Sequence, residues 1–257
     1  MIQLKSEREL ESMRVAGRHV GDILVWLRAK VEPGMTTGEI DRAALRQIEE
    51  RKLGSSFLGY GPRGAPPYPA VICTSVNEEI VHGIPGPREL KEGDVLKLDF
   101  GVIFEGFHGD SAVSIPVGAI DEEAQALMDA TRRALYAGIE QMREGSRLGD
   151  VSNAIQGVAE SEGYSVVRDF VGHGIGRSLH EPPQVPNFGP SGRGPRLRTG
   201  MVLALEPMVN LGGPAAQVLE DGWTATTADG KLSAHFEHTV AITANGPEVL
   251  TQVPGSH

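Results

Sequence analysis

The sequence predicts an α/β (α+β) chain built from two similar halves, and three observations carry that expectation. Helical stretches occur in a pair near the start and again in a pair after residue 120. A long stretch rich in glycine, proline and β-branched residues follows each pair, as strands and turns require. Short motifs also recur in the same order in both parts.

Ser6 with Glu9 forms a capping box, and Leu10, Met13, Gly17, Val20, Ile23, Leu24 and Leu27 follow at helical spacing. This predicts a helix over 6–30, ended near Pro33-Gly34. Thr36 and Glu39 repeat the capping pattern, for a second helix reaching about Lys52. Residues 55–115 read as loops and strands. Two more helices are predicted over 121–143 and 148–163, and strands and turns from Tyr164 to Leu250.

The repeat is specific in its order. Pro33-Gly34 and Gly38-Glu39-Ile40 align with Glu144-Gly145 and Gly149-Asp150-Val151, an offset of 111. His82-Gly83-Ile84 aligns with His173-Gly174-Ile175, an offset of 91. The run from Gly93 to Asp99 aligns with that from Gly200 to Glu206, an offset of 107, and Asp110 with Glu237, an offset of 127. The expectation is one domain over 1–257, with halves of about 1–118 and 119–250. Packed about a pseudo-twofold axis, such halves bring Asp99 toward Glu206, Asp110 toward Glu237 and His82 toward His173.

Composition narrows the function classes. With 24 Lys and Arg against 34 Asp and Glu the net charge is −10, which opposes general nucleic-acid binding. Cys73 is the single cysteine, so neither an internal disulfide nor a cysteine-rich zinc module can form. The first residues are charged without an apolar run behind them, unlike a signal peptide, and no stretch reaches membrane-span length. A soluble cytoplasmic protein is expected.

Counting out from a two-residue turn at Glu105-Gly106 places Phe104 opposite Phe107 and Asp110 opposite Gly101. Asp99, two residues from Gly101, then shares a face with Asp110, while Leu96, Leu98 and Phe100 point to the buried side. Asp99, Asp110, Glu206 and Glu237 gathered in one cavity would repel one another and take up protons. Two divalent cations neutralise them instead. His173 adds a nitrogen ligand suited to Mn, Fe, Co or Zn rather than Mg or Ca. Paired metals activate water for hydrolysis, so a dinuclear hydrolase is expected. No H-E-x-x-H, Walker-type loop or Gly-x-Ser-x-Gly elbow competes with that reading.

The runs Asn77 to Pro85, Leu98-Asp99-Phe100, Phe107 to Asp110, Gly172 to Gly176, Glu206-Pro207-Met208 and Phe236 to Thr239 together resemble type I methionine aminopeptidases, from the first helix to about Leu250. The short interval from His173 to Glu206, without a leading zinc-finger segment, is similar to the bacterial short form. The resemblance implies a pita-bread α/β (α+β) fold, two pseudo-symmetric halves each with helices packed on antiparallel sheet. It implies two divalent metal ions (Co, Mn, Fe, Zn or Ni, not distinguished by the ligands) held by Asp99, Asp110, His173, Glu206 and Glu237. It further implies removal of the initiator methionine from nascent chains whose second residue is small, by metal-activated water attacking the first peptide bond. His180 is implied at the carbonyl oxygen, His82 near the scissile nitrogen, and Glu206 in proton transfer as well as ligation. A monomer meeting nascent chains transiently at the ribosome, without nucleic-acid or membrane partners, completes that expectation.

Phe57, Tyr60, Tyr68, Cys73 and Trp223 resemble the family's pocket for the methionine side chain. A thioether packs well on aromatic edges. The chain departs from the family pattern at Phe57, at Leu179 and in a stretch at 63–67 that reads as an insertion. Of the remaining histidines, His108 is expected to be structural, His19 and His257 incidental, and His235 to sit on the face of Glu237 as an outer partner. Two alternatives stand beside this reading: a proline-specific pita-bread aminopeptidase and a non-catalytic pita-bread binding protein.

Overall fold

The apolar stripe of the first helix decides how the first half assembles. In the computed structural model, which describes residues 2–61 and 66–252, α1 (Glu7–Arg28) buries Leu10, Met13, Val20, Ile23 and Leu27. The amide of Ser6 donates to Glu9 Oε2 at 3.0 Å, closing its N-terminus as the capping pattern predicts. α2 (Thr37–Glu50) is capped in the same way by Thr36 and Glu39. It ends two residues before the predicted limit, at Lys52, which takes a positive φ of 55°. Both helices lie on β1 (Gly54–Ser55), β2 (Ile72–Val76), β4 (Val95–Phe104) and β5 (Phe107–Pro116). β3 (Glu79–Val81) joins another sheet.

The long β4–β5 hairpin has the counted register, with Phe104 opposite Phe107, Gly101 opposite Asp110 and Asp99 opposite Ala112. Glu105 and Gly106 hold φ of 49° and 77°, the left-handed pair of a type I′ turn. Leu96, Leu98 and Phe100 are fully buried beneath the helices.

The second part repeats the order. α3 (Glu122–Glu140) and α4 (Leu148–Ser161) cover a sheet of β15 (Gly246–Val249), β14 (His238–Thr243), β9 (Val202–Leu205), β7 (Gly172–Gly174) and β8 (Glu181–Val185), in that order. Leu135, Ile139, Val151 and Ile155 pack there on Leu203, Leu205, Val240 and Ile242. Two three-stranded sheets fill the remaining side: β6 (Ser165–Val166) with β10 (Met208–Asn210) and β13 (Ser233–His235), and β3 with β12 (Ala225–Thr227) and β11 (Ala216–Val218). Every strand pairing among the described residues is antiparallel. No helix among them is long and apolar enough to cross a membrane.

Backbone contacts recur at the offsets found in the sequence. The amide of Gly34 donates to Leu90 O and that of Gly145 to Leu197 O. Thr36 bridges Glu89, and Arg147 bridges Arg196. Gly34 and Gly145 hold φ of 92° and 90°, and Gly93 and Gly200 hold 93° and 91°, a region glycine enters without cost.

One alignment places its residues differently. β2 pairs with β4 as β7 pairs with β9. By register Ser75 faces Lys97 where His173 faces Ala204, so Ser75, not His82, occupies the position equivalent to His173. His82 instead follows β3, at a φ of 62°.

Candidate active site

The two parts are joined at their centre by backbone and side-chain hydrogen bonds that reach across. The amide of Glu237 donates to Ala112 O at 2.9 Å. The Thr239 hydroxyl accepts from the Asp110 amide at 3.1 Å and donates to the Asp110 carbonyl at 2.8 Å. Asp110 on β5 and Glu237 just before β14 are thereby held side by side. Asp99 comes from β4, two residues along the same face, and Glu206 follows β9 directly.

Glycines make room for this convergence. A Cβ on Gly101 would lie 3.1 Å from Asp110 Oδ1. His173 sits between two glycines in β7, the strand between β9 and β8. A Cβ on Gly172 would collide with Ala204 O, and one on Gly174 with Pro182 O. Only a strand bare on both sides of His173 fits so tightly between β9 and β8.

Around these residues lies a cavity of about 240 Å³. Asp99, Asp110, His173, Glu206 and Glu237 form its acidic wall, with His82 and His180 lining the same space. Phe57, Tyr60, Tyr68, Cys73 and Trp223 line it too, together with Leu179, and Cys73 is the strand partner of Asp99. The expected ligands, both histidines and the five pocket residues therefore face one space. Of the stretch at 63–67, residues 63–65 lie outside the described residues, as does His257. The carbonyl of Pro66 accepts from the Trp223 indole at 3.1 Å.

Burial dominates the electrostatics. It pushes the carboxyls of Asp99, Glu206 and Glu237 well above their ordinary range, and the neighbouring carboxylates add to this. Asp110 is raised to about 7, also by burial. The same burial drives His173 down to about 3 and His82 to about 4, leaving both rings neutral and able to act as ligands or acceptors.

The donor set fits a divalent metal. Asp110, His173 and Glu237 offer ligand atoms that all lie within 4.8 Å of one another. Glu206 Oε1 is 3.6 Å from His173 Nε2. Buried oxygens of Asp99 and Asp110 have no hydrogen-bond partner among the described residues, although orphaned buried acceptors are rare in folded proteins. Oxygen ligands with one imidazole suit first-row transition ions.

The histidines divide by partner. His180 packs its ring on His173, centroids 4.1 Å apart, and its Nδ1 is 2.6 Å from the Tyr60 hydroxyl. His82 meets Trp223 and Phe170 edge to face. His108 bonds Ser56 Oγ at 2.9 Å and stays outside the cavity, as expected. His19 lies against Arg51 and Phe104. His235 is buried with its Nε2 3.9 Å from Glu206 Oε2, so its nearest carboxylate is Glu206. Sequence reasoning missed Asn187, a fully buried residue between β8 and β9 in the chain, whose amide donates to the Glu206 carbonyl at 3.0 Å. Thr239, whose hydroxyl brackets Asp110, stands in the Phe236-to-Thr239 run but carries no role of its own in that reading, and Asn187 stands in no motif.

A carboxylate-rich cavity with one buried histidine, set between two such halves, is the arrangement of a metal-dependent hydrolase. Residues 11–244 match metallopeptidase family M24, and the chain belongs to that family. It is 53% identical to the methionine aminopeptidase of Clostridium perfringens over 254 residues, covering 98% of this chain and 100% of that one. It is 49% identical to methionine aminopeptidase 1 of Bacillus subtilis, with the same coverage. The crystal structure of the methionine aminopeptidase of Thermotoga maritima superposes with a TM-score of 0.95 at 45% identity, over 98% of this chain and 100% of that one. The pita-bread fold and a metal-dependent aminopeptidase chemistry follow from these relationships.

Proposed function

We propose that this chain removes the initiator methionine from polypeptides whose second residue is small. The observation that carries the reading is the shared cavity: four carboxylates and His173 line the same space as an apolar, largely aromatic set of side chains. Asp99, Asp110, His173, Glu206 and Glu237 are the residues that would hold two divalent cations. Such a pair supplies Lewis acidity and activation of water.

The chain's own side chains do the rest. Phe57, Tyr68, Cys73, Leu179 and Trp223 enclose the thioether side chain, which packs on ring edges, while the acidic wall draws the free α-amine. That combination selects a chain end over an internal bond. His180, neutral and held by Tyr60 at Nδ1, presents its other nitrogen to the substrate carbonyl oxygen. His82 stands near the scissile nitrogen, and Glu206 moves a proton toward it. A small second residue is required because the next side chain lies close to the acidic wall. The same reading places the protein in the cytoplasm as a monomer, meeting nascent chains at the ribosome.

The test is hydrolysis of Met-Ala-Ser beside acetyl-Met-Ala-Ser, by metal-free protein titrated with Mn²⁺ or Co²⁺. Release of methionine from the free peptide alone, dependent on metal, is the expected result. Cleavage of an Ala-Pro peptide in preference to Met-Ala-Ser overturns the substrate assignment, and no cleavage by folded, metal-loaded protein overturns the catalytic one.

A further inference from the structure

Lys5 precedes α1, in a segment that is neither helix nor strand. Its amide donates to Gly200 O at 2.7 Å, which fixes the segment to the turn entering β9. Its side chain runs inward and pairs with the Glu181 carboxylate, the two side chains being only 4% and 6% exposed. The other oxygen of Glu181 accepts from the amides of Arg177 at 2.8 Å and Ser178 at 3.3 Å. One carboxylate thus closes the 177–181 turn and receives the ammonium from outside that turn.

The fit is close at Gly176. A Cβ there would collide with Lys5 Cε and lie 2.6 Å from Nζ, so the lysine stem lies directly against the loop backbone. The carbonyl of Gly176 also accepts from the His108 amide at 2.8 Å. The last glycine of the Gly172-to-Gly176 motif therefore lets Lys5 through to Glu181, which a larger residue would block. His180 is the residue before Glu181.

A buried ion pair of this kind is weak evidence for stability, because desolvation offsets the attraction. Its clearer product is geometry. We infer that Lys5 is a positioning residue, whose ammonium holds Glu181 and through it the turn that presents His180 to the substrate. The inference rests on the role given to His180 above.

The experiment is a cycle of Lys5→Met and His180→Ala in the metal-loaded, full-length protein, with Met-Ala-Ser as substrate. Lys5→Met is expected to lower kcat by about 10-fold or more, since small misplacements of a catalytic group are costly, with KM and metal content unchanged. In the His180→Ala background the same substitution adds less than about 2-fold, because it acts through the missing ring. Equal losses in both backgrounds, or wild-type kcat in Lys5→Met, overturn the inference. Should Lys5→Met not fold, Glu181→Gln keeps an acceptor for Arg177 and Ser178 and takes its place. If the wild-type protein releases no methionine, that failure belongs to the proposed function. The His180 ring proton resonances then decide: a shift in Lys5→Met supports the inference, and unchanged resonances overturn it.

Discussion

The Tyr60 hydroxyl lies 2.6 Å from Nδ1 of His180, a bond between residues 120 positions apart in the chain. Burial lowers His180 to about 4, so the ring is neutral at pH 7. A hydroxyl donating to Nδ1 leaves the ring proton on Nε2, free to donate to an oxygen in the cavity. Tyr60 therefore does more than line the apolar slot.

Tyr60→Phe keeps the ring and removes that bond. The expected result is a fall in kcat of about 10-fold, the scale of losing a partner that orients a site imidazole, with KM for Met-Ala-Ser nearly unchanged. Steady-state kinetics on the two proteins decides it. A change confined to KM would return Tyr60 to a packing role.

Asp110→Asn removes one acidic oxygen from the centre of the cluster without changing its shape. Loss of an outer partner of a metal ligand costs roughly 10–100-fold, and loss of a ligand is expected to exceed that. Activity should drop by at least about 100-fold, with reduced metal content by elemental analysis. Near-wild-type turnover at full metal content contradicts the site assignment.

Much of this site was legible because local chemistry controls it. The Glu105-Gly106 turn fixes the hairpin register, and the register alone puts Asp99 and Asp110 on one face. The capping boxes and apolar spacing fix α1 and α2 within two residues. What escaped depends on pairings that no local pattern encodes. Sequence likeness equates His82 with His173, yet strand pairing gives that place to Ser75, since His173 lies within β7 whereas the similar tripeptide at His82 follows β3, a strand of another sheet. The contacts of Tyr60 with His180, Lys5 with Glu181 and Asn187 with Glu206 join distant segments through single side chains. Nothing in their spacing marks them.

Gly172→Ala tests why His173 is flanked by glycine. The added Cβ would collide with Ala204 O, a backbone atom in the middle of a sheet that cannot swing aside. Overpacking of this kind costs about 1–3 kcal/mol, and the strain falls on the strand that carries His173. Lower denaturant midpoint and weaker metal binding should appear together. Lost stability with unchanged metal affinity would mean that β7 relaxes without moving the imidazole.

Removing the metal should reverse the usual response of stability to pH. Asp110 is raised from 3.8 to about 7 by burial, and Asp99, Glu206 and Glu237 are raised in the same direction. A carboxyl raised on folding contributes stability that is full below its unfolded pKa and is lost as pH climbs through the folded one. The buried histidines, lowered from 6.5, act only below that value, where the unfolded chain takes up protons. Lys97, lowered to about 7 by burial, gains stability with pH above 7, one group against the four carboxyls. Between about pH 6.5 and 8 the carboxyls therefore prevail, and the Tm of chelator-treated protein should fall. Saturating Mn²⁺ should abolish that fall, since cations take over the neutralising role of the protons. Thermal denaturation at the two pH values, with and without Mn²⁺, reads both arms. A metal-free Tm that rises over the same interval would show that the four carboxyls are not gathered in one buried cluster.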